Sequence, residues 1–562
     1  MTSSRSMTRR TMLRGGLVTA AAVPFGLSLA ACDTSSTGGG GGGGGEDADT
    51  DMEAQSEGAM EDFGPGTTFV ATAPVTFGML YRDHPNYPYS ADWSFFQHLK
   101  DDNNVSFDMV NVPLSDYEQR RSLLLAAGDA PAVIPSAYIG TMDQFVPSGT
   151  IVPISRYVEY MPNFQQKIEG WGLQEDLDRT RQLDGEFYVL PGLLEAPKPQ
   201  YSIGIRKDLW EQAGLGLNPA TWDEFAEQLK TIQQTFPELD FAYSERWSTN
   251  NPLEGLLQSL SGGFGTEAGW SYADGVIWNG SEFEYVGATE SYRAMLEYVN
   301  GLIEAGVMDP ESLTQSDEVA EQKFASGKSA AIGINDQGVP QYQTLLDEAG
   351  TAGEVYQIVV PAGPEGFKLE GGSGTSRFES GVAFSTAALE SSNFLALLQF
   401  VDWLYYSDEG LEFARWGVEG ETFERAADGT RTLLEDINTQ GLNPPGTQDL
   451  QADFGYGNGV FMPAHGSTTD LVDSMSRPEV VEWRAAMNER EIADPGPAYK
   501  FDELAQESAA LQQSALQDLV MQNTAAFILG RRSFDEWDAY VAELEGAGMP
   551  SYVQAVNDAI QE

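Results

Sequence analysis

The chain has 562 residues, of which 41% are hydrophobic and 11% aromatic, enough to fill a sizeable core and more than one packed unit. Its formal net charge of −54 repels nucleic acid and anionic lipid headgroups, so neither is expected as a partner, and acidity of this degree also suits a saline habitat. The single cysteine excludes an internal disulfide and leaves stability to burial.

The first 31 residues read as an export signal. Arg5, Arg9, Arg10 and Arg14 form a positive segment, and Gly15 to Leu29 an apolar one too short and too rich in small residues for a membrane span. Leu29-Ala30-Ala31-Cys32 resembles a bacterial lipobox, which implies cleavage before Cys32 and a diacylglycerol on its sulfur. Two acyl chains, at about 0.8 kcal/mol per buried methylene, hold a soluble body stably on a membrane. Thr8-Arg9-Arg10 also resembles a twin-arginine signal, which implies folding before export. The expected location is the extracytoplasmic face of the cell membrane, with contact through the lipid alone. Residues 32–66, with the run Gly38 to Gly45, read as the lipidated cysteine and a flexible acidic tether; thirty such residues span roughly 30 Å.

From residue 67 the pattern is that of a folded body. Thr68–Val70 and Val75–Leu80 read as strand, Ser94 onward as helix, and Val105–Val110 alternates with period two as a further strand. A helical stretch through Tyr117 and Leu124 leads to a strand at Ala132–Ile134. Such alternation predicts an α/β fold with parallel-rich sheets flanked by helices, in which ligands sit beyond the carboxyl ends of strands. That rule points to the segments 81–92 and 136–142. Thr221-Trp222-Asp223-Glu224 and Ser533 to Glu536 have the spacing of capping boxes before amphipathic helices. Phe394 to Leu404 and Asp502 to Phe527 complete the strong helical signals. Trp93, Trp222, Trp403 and Trp537 fall on helical faces and read as core, whereas Trp270 and Trp278 fit core or ligand equally.

Arg206-Lys207-Asp208-Leu209-Trp210-Glu211-Gln212-Ala213-Gly214-Leu215 followed by Thr221-Trp222-Asp223-Glu224-Phe225 resembles family 1 extracellular solute-binding proteins, which capture sugars and oligosaccharides for ABC importers. Asp184-Gly185-Glu186-Phe187-Tyr188, Lys323 to Ala330, Trp416 to Phe423 and Phe527 to Trp537 extend the resemblance in order to the C-terminus. It implies a two-lobed periplasmic-binding-protein-like fold of type II with three interlobe crossings, a ligand held in the cleft, an ABC permease as partner, no cofactor and no chemistry of its own. A monomer is expected. The crossings are expected near 191–200, 370–379 and 410–420. One lobe then comprises residues 67–195 and 378–412, and the other 196–377 and 413–562.

Sugars present C–H faces to aromatic rings and hydroxyls to polar side chains, and each buried hydroxyl left unpaired costs about 1 to 3 kcal/mol. The expected ligand-binding residues are Tyr81 and Asp83 after one strand, Tyr138 after another, Glu195 at a crossing, Trp247 in a polar loop, and Asp336 after an apolar strand. A secreted carbohydrate-active enzyme is the alternative, since acid pairs abound among 85 Asp and Glu; an adhesion or sensor lipoprotein is another. Nucleophile-elbow and zinc-protease motifs are absent, and Gly327-Lys328-Ser329 has Gln322 where a phosphate loop needs glycine. His84, His98 and His465 are too scattered for zinc, and Asp101 to Asn104 lacks the spacing of a calcium loop.

Overall fold

A computed structural model describes residues 51–248, 251–335, 338–369, 377–457 and 466–560. Cys32 and the expected export signal lie outside the described residues, as do Asp336 and His465.

Each of two sheets nucleates its own hydrophobic core. The first contains β1 (Val75–Asp83), β2 (Val105–Pro113), β3 (Val133–Ala137) and β4 (Val189–Leu193). The chain then builds β5 (Tyr201–Arg206), β6 (Phe241–Tyr243), the hairpin β7 (Val276–Trp278) and β8 (Phe283–Tyr285), β9 (Ser329–Asn335), β10 (Val355–Gln357) and β11 (Lys368–Leu369). It returns to the first sheet as β12 (Phe378–Phe384). The orders are β2-β1-β3-β12-β4 and β10-β5-β9-β6.

Both sheets are mixed, where the sequence reading expects them parallel-rich. β1 runs parallel to β2 and β3, with Val75 opposite Val105 and Met79 opposite Val133. β12 enters from the other lobe and lies antiparallel to both β3 and β4. In the second sheet β5 is antiparallel to β9 and β10, and only β6 and β9 are parallel. Right-handed βαβ crossovers impose parallel pairing on neighbours in sequence, but β12 arrives across the lobe boundary and escapes that constraint.

The two large cores divide the chain differently from the expected boundaries. One gathers Phe69, Phe77, Leu190 and Phe384 with Phe400, Trp416, Phe423, Leu450 and Met475. The other gathers Ile205, Trp222, Leu256, Met295 and Ala331 with Trp483, Phe527 and Trp537. Residues 413–457 and 466–475 thus pack with the first lobe, not the second. The helices Phe394–Tyr406 and Asp408–Trp416 pack on each other, and the apolar residues that follow close over the same core. Two crossings run between β4 and β5 and between β10 and β12. The third lies between Met475 and Trp483 instead of near 410–420.

The expected tether also ends earlier. Met52, Ala59, Met60 and Phe63 pack against the first core, and Phe63 meets Phe69 edge to face at 6.2 Å. The Gln399 side chain clamps Met60, its Oε1 accepting from the Met60 N–H at 2.9 Å and its Nε2 donating to the carbonyl at 3.1 Å. Residues 51–66 therefore form a strap on the helix Phe394–Tyr406. The few apolar residues among the acids are what bind it there. Thr68–Val70 is not a strand, although Phe69 is fully buried.

Candidate ligand cleft

In the second lobe, strand direction brings three segments to one sheet edge. β5 is antiparallel to β9, which sets Tyr201 at the start of one opposite Asn335 at the end of the other. β6 is parallel to β9, so the chain leaving β6, Ser244 to Trp247, emerges at the same end. This is the carboxyl edge at which open α/β sheets hold ligands.

Three aromatic rings meet there. Tyr201 and Trp270 have centroids 4.8 Å apart, Trp247 and Trp270 5.1 Å, and Tyr201 and Trp247 5.6 Å. Trp270 remains 38% exposed, a large apolar face offered to solvent. Trp247 is rigidly set: its N–H donates to Asp317 Oδ1 at 3.2 Å and its carbonyl accepts from the Glu254 N–H at 2.8 Å. Its φ of 36° lies in the left-handed region, unusual for a bulky residue. The Arg246 guanidinium stands 4.3 Å from the Trp247 ring centroid and bonds Glu321 Oε1 at 2.9 Å and the Tyr342 hydroxyl. The indole lies directly on Gly255, where an added Cβ would fall 2.4 Å from Trp247 Cε3.

Beneath this cluster Glu245 is wholly buried, and burial pushes its carboxyl up to about 7 against the hydrogen bonds from the Tyr243 hydroxyl and the Arg246 N–H. It lies against Gly333, whose missing side chain makes room for the carboxylate. The combination resembles a carbohydrate platform, with flat rings in front and a fixed charged scaffold behind.

In the first lobe, the loop after β3 carries exposed apolar side chains. Tyr138 is 42% exposed and Ile139 is exposed beside it. Farther along that loop Asp143 is pushed up by burial, with Lys500 and Asp274 of the second lobe among the charges acting on it. Arg179 of the first lobe donates to the Gly496 carbonyl of the second. The lobes therefore approach each other closely at these residues.

Of the expected ligand residues, the structure brings Trp247 into the ring cluster and leaves Tyr138 exposed on the opposite lobe. Tyr81 differs: it is fully buried in the first core with its ring 5.3 Å from Tyr89, so no face is free to stack on a sugar. The alternation of β1 points it inward. Asp83 is engaged locally, accepting from the Tyr89 N–H at 2.8 Å and from Asn111 Nδ2 at 2.9 Å. Glu195 acts at the crossing, where its Oε2 accepts from the Thr469 N–H at 2.8 Å and its carbonyl from Arg377. Tyr201 and Arg246 were missed by sequence reasoning. The signal for Tyr201 was its place as first residue of the strand after a crossing.

Among the described residues no group of three or more His, Cys, Asp or Glu side chains could hold a metal ion. The Asn103 and Asn104 side chains instead bond the carbonyls of Phe69 and Ala71 at 2.6 and 2.9 Å.

Two lobes, a type II strand order and an aromatic cluster at the facing sheet edge define a hinged binding protein, and the family comparison agrees. Residues 95–396 match the model of bacterial extracellular solute-binding proteins, more than half of the chain, which belongs to that family. It is a solute-binding protein that works outside the cytoplasm, not an enzyme. It is similar to the fructooligosaccharide ABC transporter substrate-binding protein FusA of Streptococcus pneumoniae, 21% identical over 524 residues, covering 87% of this chain and 90% of that one. Among solved structures, alginate-binding protein AlgQ2 shares the fold with a TM-score of 0.65 at 16% identity, over 88% of this chain and 99% of its own. A solute-binding protein of Bifidobacterium longum infantis described as binding HMO reaches 0.64 at 18% identity, over 87% and 98%.

Proposed function

We propose that the chain captures a sugar or oligosaccharide between its lobes and delivers it to the permease of an ABC importer. The observation that carries this reading is the cluster of Tyr201, Trp247 and Trp270, which offers an exposed indole above a buried charged scaffold at the carboxyl edge of the second sheet. Tyr138 would close over the guest from the first lobe, and Glu195 would act at the hinge instead of on the ligand. The relatives FusA and AlgQ2 are both named for saccharides, which supports the same class of guest here. Hinge closure about the crossings would trap the ligand and present a closed shape to the permease. The lipid on Cys32 would hold the body, as a monomer, at the outer face of the membrane.

A thermal-shift screen over a glycan panel, with assay for new reducing ends, tests the reading. A ligand at one hundred times its dissociation constant adds about 2.7 kcal/mol to folded-state stability. The expected result is stabilisation by at least one oligosaccharide without cleavage. Stabilisation by none, or turnover of any, would contradict it.

A further inference from the structure

A second pocket lies beyond the ring cluster, where the helix Glu254–Phe264 ends, and holds about 320 Å³ between that helix end, the hairpin strand β7 and β11. Gly265, at φ 66°, terminates the helix in the left-handed conformation and turns the chain into Thr266 and Glu267. Thr266 is only 4% exposed, yet its Oγ1 has no hydrogen-bond partner among the described residues. A buried hydroxyl in that condition is destabilising, and a ligand polar group would relieve it.

The other lining groups suit the same guest. Glu267 accepts no hydrogen bond among the described residues, and burial together with the Asp274 charge pushes its carboxyl up to about 7. Lys368 makes no ion pair among the described residues. Asp494 receives the Gly496 N–H on Oδ1 at 2.9 Å and has Oδ2 to spare. Trp278 forms the apolar wall, held by Phe283 at 5.1 Å and packed over Gly496. An anion would meet three carboxylates here, Glu267, Glu491 and Asp494, while a cation would meet Lys368, opposite Glu491 in the ladder, and among the described residues the carboxylates do not gather into a metal-holding group. A neutral polyol instead finds donors in Thr266 and Lys368, acceptors in Glu267 and Asp494, and an aromatic wall for its C–H face.

The geometry points to this pocket as a second saccharide subsite, occupied by a further uncharged sugar residue of the same ligand that stacks on Trp270. Glu267 precedes Trp270 by three residues, so their Cα atoms are at most about 11 Å apart, within reach of one short glycan chain. The inference rests on the saccharide reading above, and it adds that affinity depends on chain length.

Calorimetric titration of the full chain with fructo- and malto-oligosaccharides, from disaccharide to hexasaccharide, tests it. The wild type is expected to bind the longer members of the series it accepts about tenfold more tightly than the disaccharide. Thr266→Val, which removes the orphan hydroxyl without changing shape, and Lys368→Met should each erase most of that gain and leave the disaccharide unaffected. Melting curves should show both variants folded. Trp270→Ala should weaken every length. A gain with length that survives both pocket variants, or no gain in the wild type, overturns the subsite while leaving the cleft intact. No binding of any saccharide overturns both.

Discussion

Gly255 shows how a residue without a side chain supports one with a large side chain. It lies in the first turn of its helix, where alanine is still the better helix former, so propensity alone favours replacement. Here the Trp247 indole occupies the space a methyl would need. Gly255→Ala is therefore expected to tilt the ring cluster and weaken saccharide binding about tenfold or more, read by titration calorimetry, despite the better helix former. Unchanged affinity would show that Trp247 is not held in a binding pose by this contact. At the same scale, both ring nitrogens of His98 face carboxylates, Asp102 at 2.7 Å and Glu421 at 2.9 Å. Burial lowers its pKa, but the two hydrogen bonds and charges outweigh burial and leave it raised. A raised histidine stabilises the fold fully below its unfolded value near 6.5, and the contribution fades as pH rises through the folded value. The melting temperature of the wild type should thus exceed that of His98→Gln by more at pH 6 than at pH 8.5. A difference independent of pH would refute the assignment.

At the scale of elements, the strap of residues 51–66 is the clearest departure from the sequence reading. Its composition is that of a linker, yet Met52, Met60 and Phe63 find the first core, and Gly58, at φ 76°, sits where an added Cβ would fall 2.4 Å from Val75 Cγ1. A truncated chain beginning at Asp51 should unfold like the longer one, whereas one beginning at Thr67 should lose about 3 kcal/mol in urea denaturation, the worth of partly burying three large side chains. Equal stabilities would mean the strap only rests on the surface. The regular elements were legible because their signals are local. The Thr221 cap, whose Oγ1 accepts from the Glu224 N–H at 3.2 Å, and the alternation of β1 were readable from a few residues each. The Ser533 box before Trp537 forms as its spacing implies. The antiparallel insertion of β12, the third crossing beyond Met475 and the strap depend on partners more than a hundred residues away, and no local pattern encodes them.

The same distinction governs the site. That aromatic and polar residues beyond strand ends would form it was readable, and Trp247 followed from that rule. Tyr81 obeyed the rule by position but points inward, because one register step decides the face of a strand. Tyr201 joins Trp247 and Trp270 only once the antiparallel pairing of β5 with β9 is known.

For the whole molecule, a net charge of −54 means that folding compresses many like charges. Ion pairs such as Lys323 with Asp309 and Glu311, at 2.7 Å each, offset only part of that repulsion. Salt at 1 M shortens the screening length to about 3 Å, so the melting temperature should rise with sodium chloride concentration. A flat or falling trend would show that surface repulsion does not limit stability. Large-scale motion is expected about the three crossings, because the lobes on either side keep independent cores. At one crossing Arg377 bonds the carbonyls of Leu194, Trp171 and Glu195 at 3.2, 3.0 and 2.8 Å, which fixes the chain where it leaves the first lobe. The most direct test of the account is diffraction from crystals of the full chain grown with a saccharide that stabilises it. The account predicts an intact sugar ring against the Trp270 indole, between the second-lobe cluster and Tyr138. A ligand bound elsewhere, or a cleaved one, would contradict it.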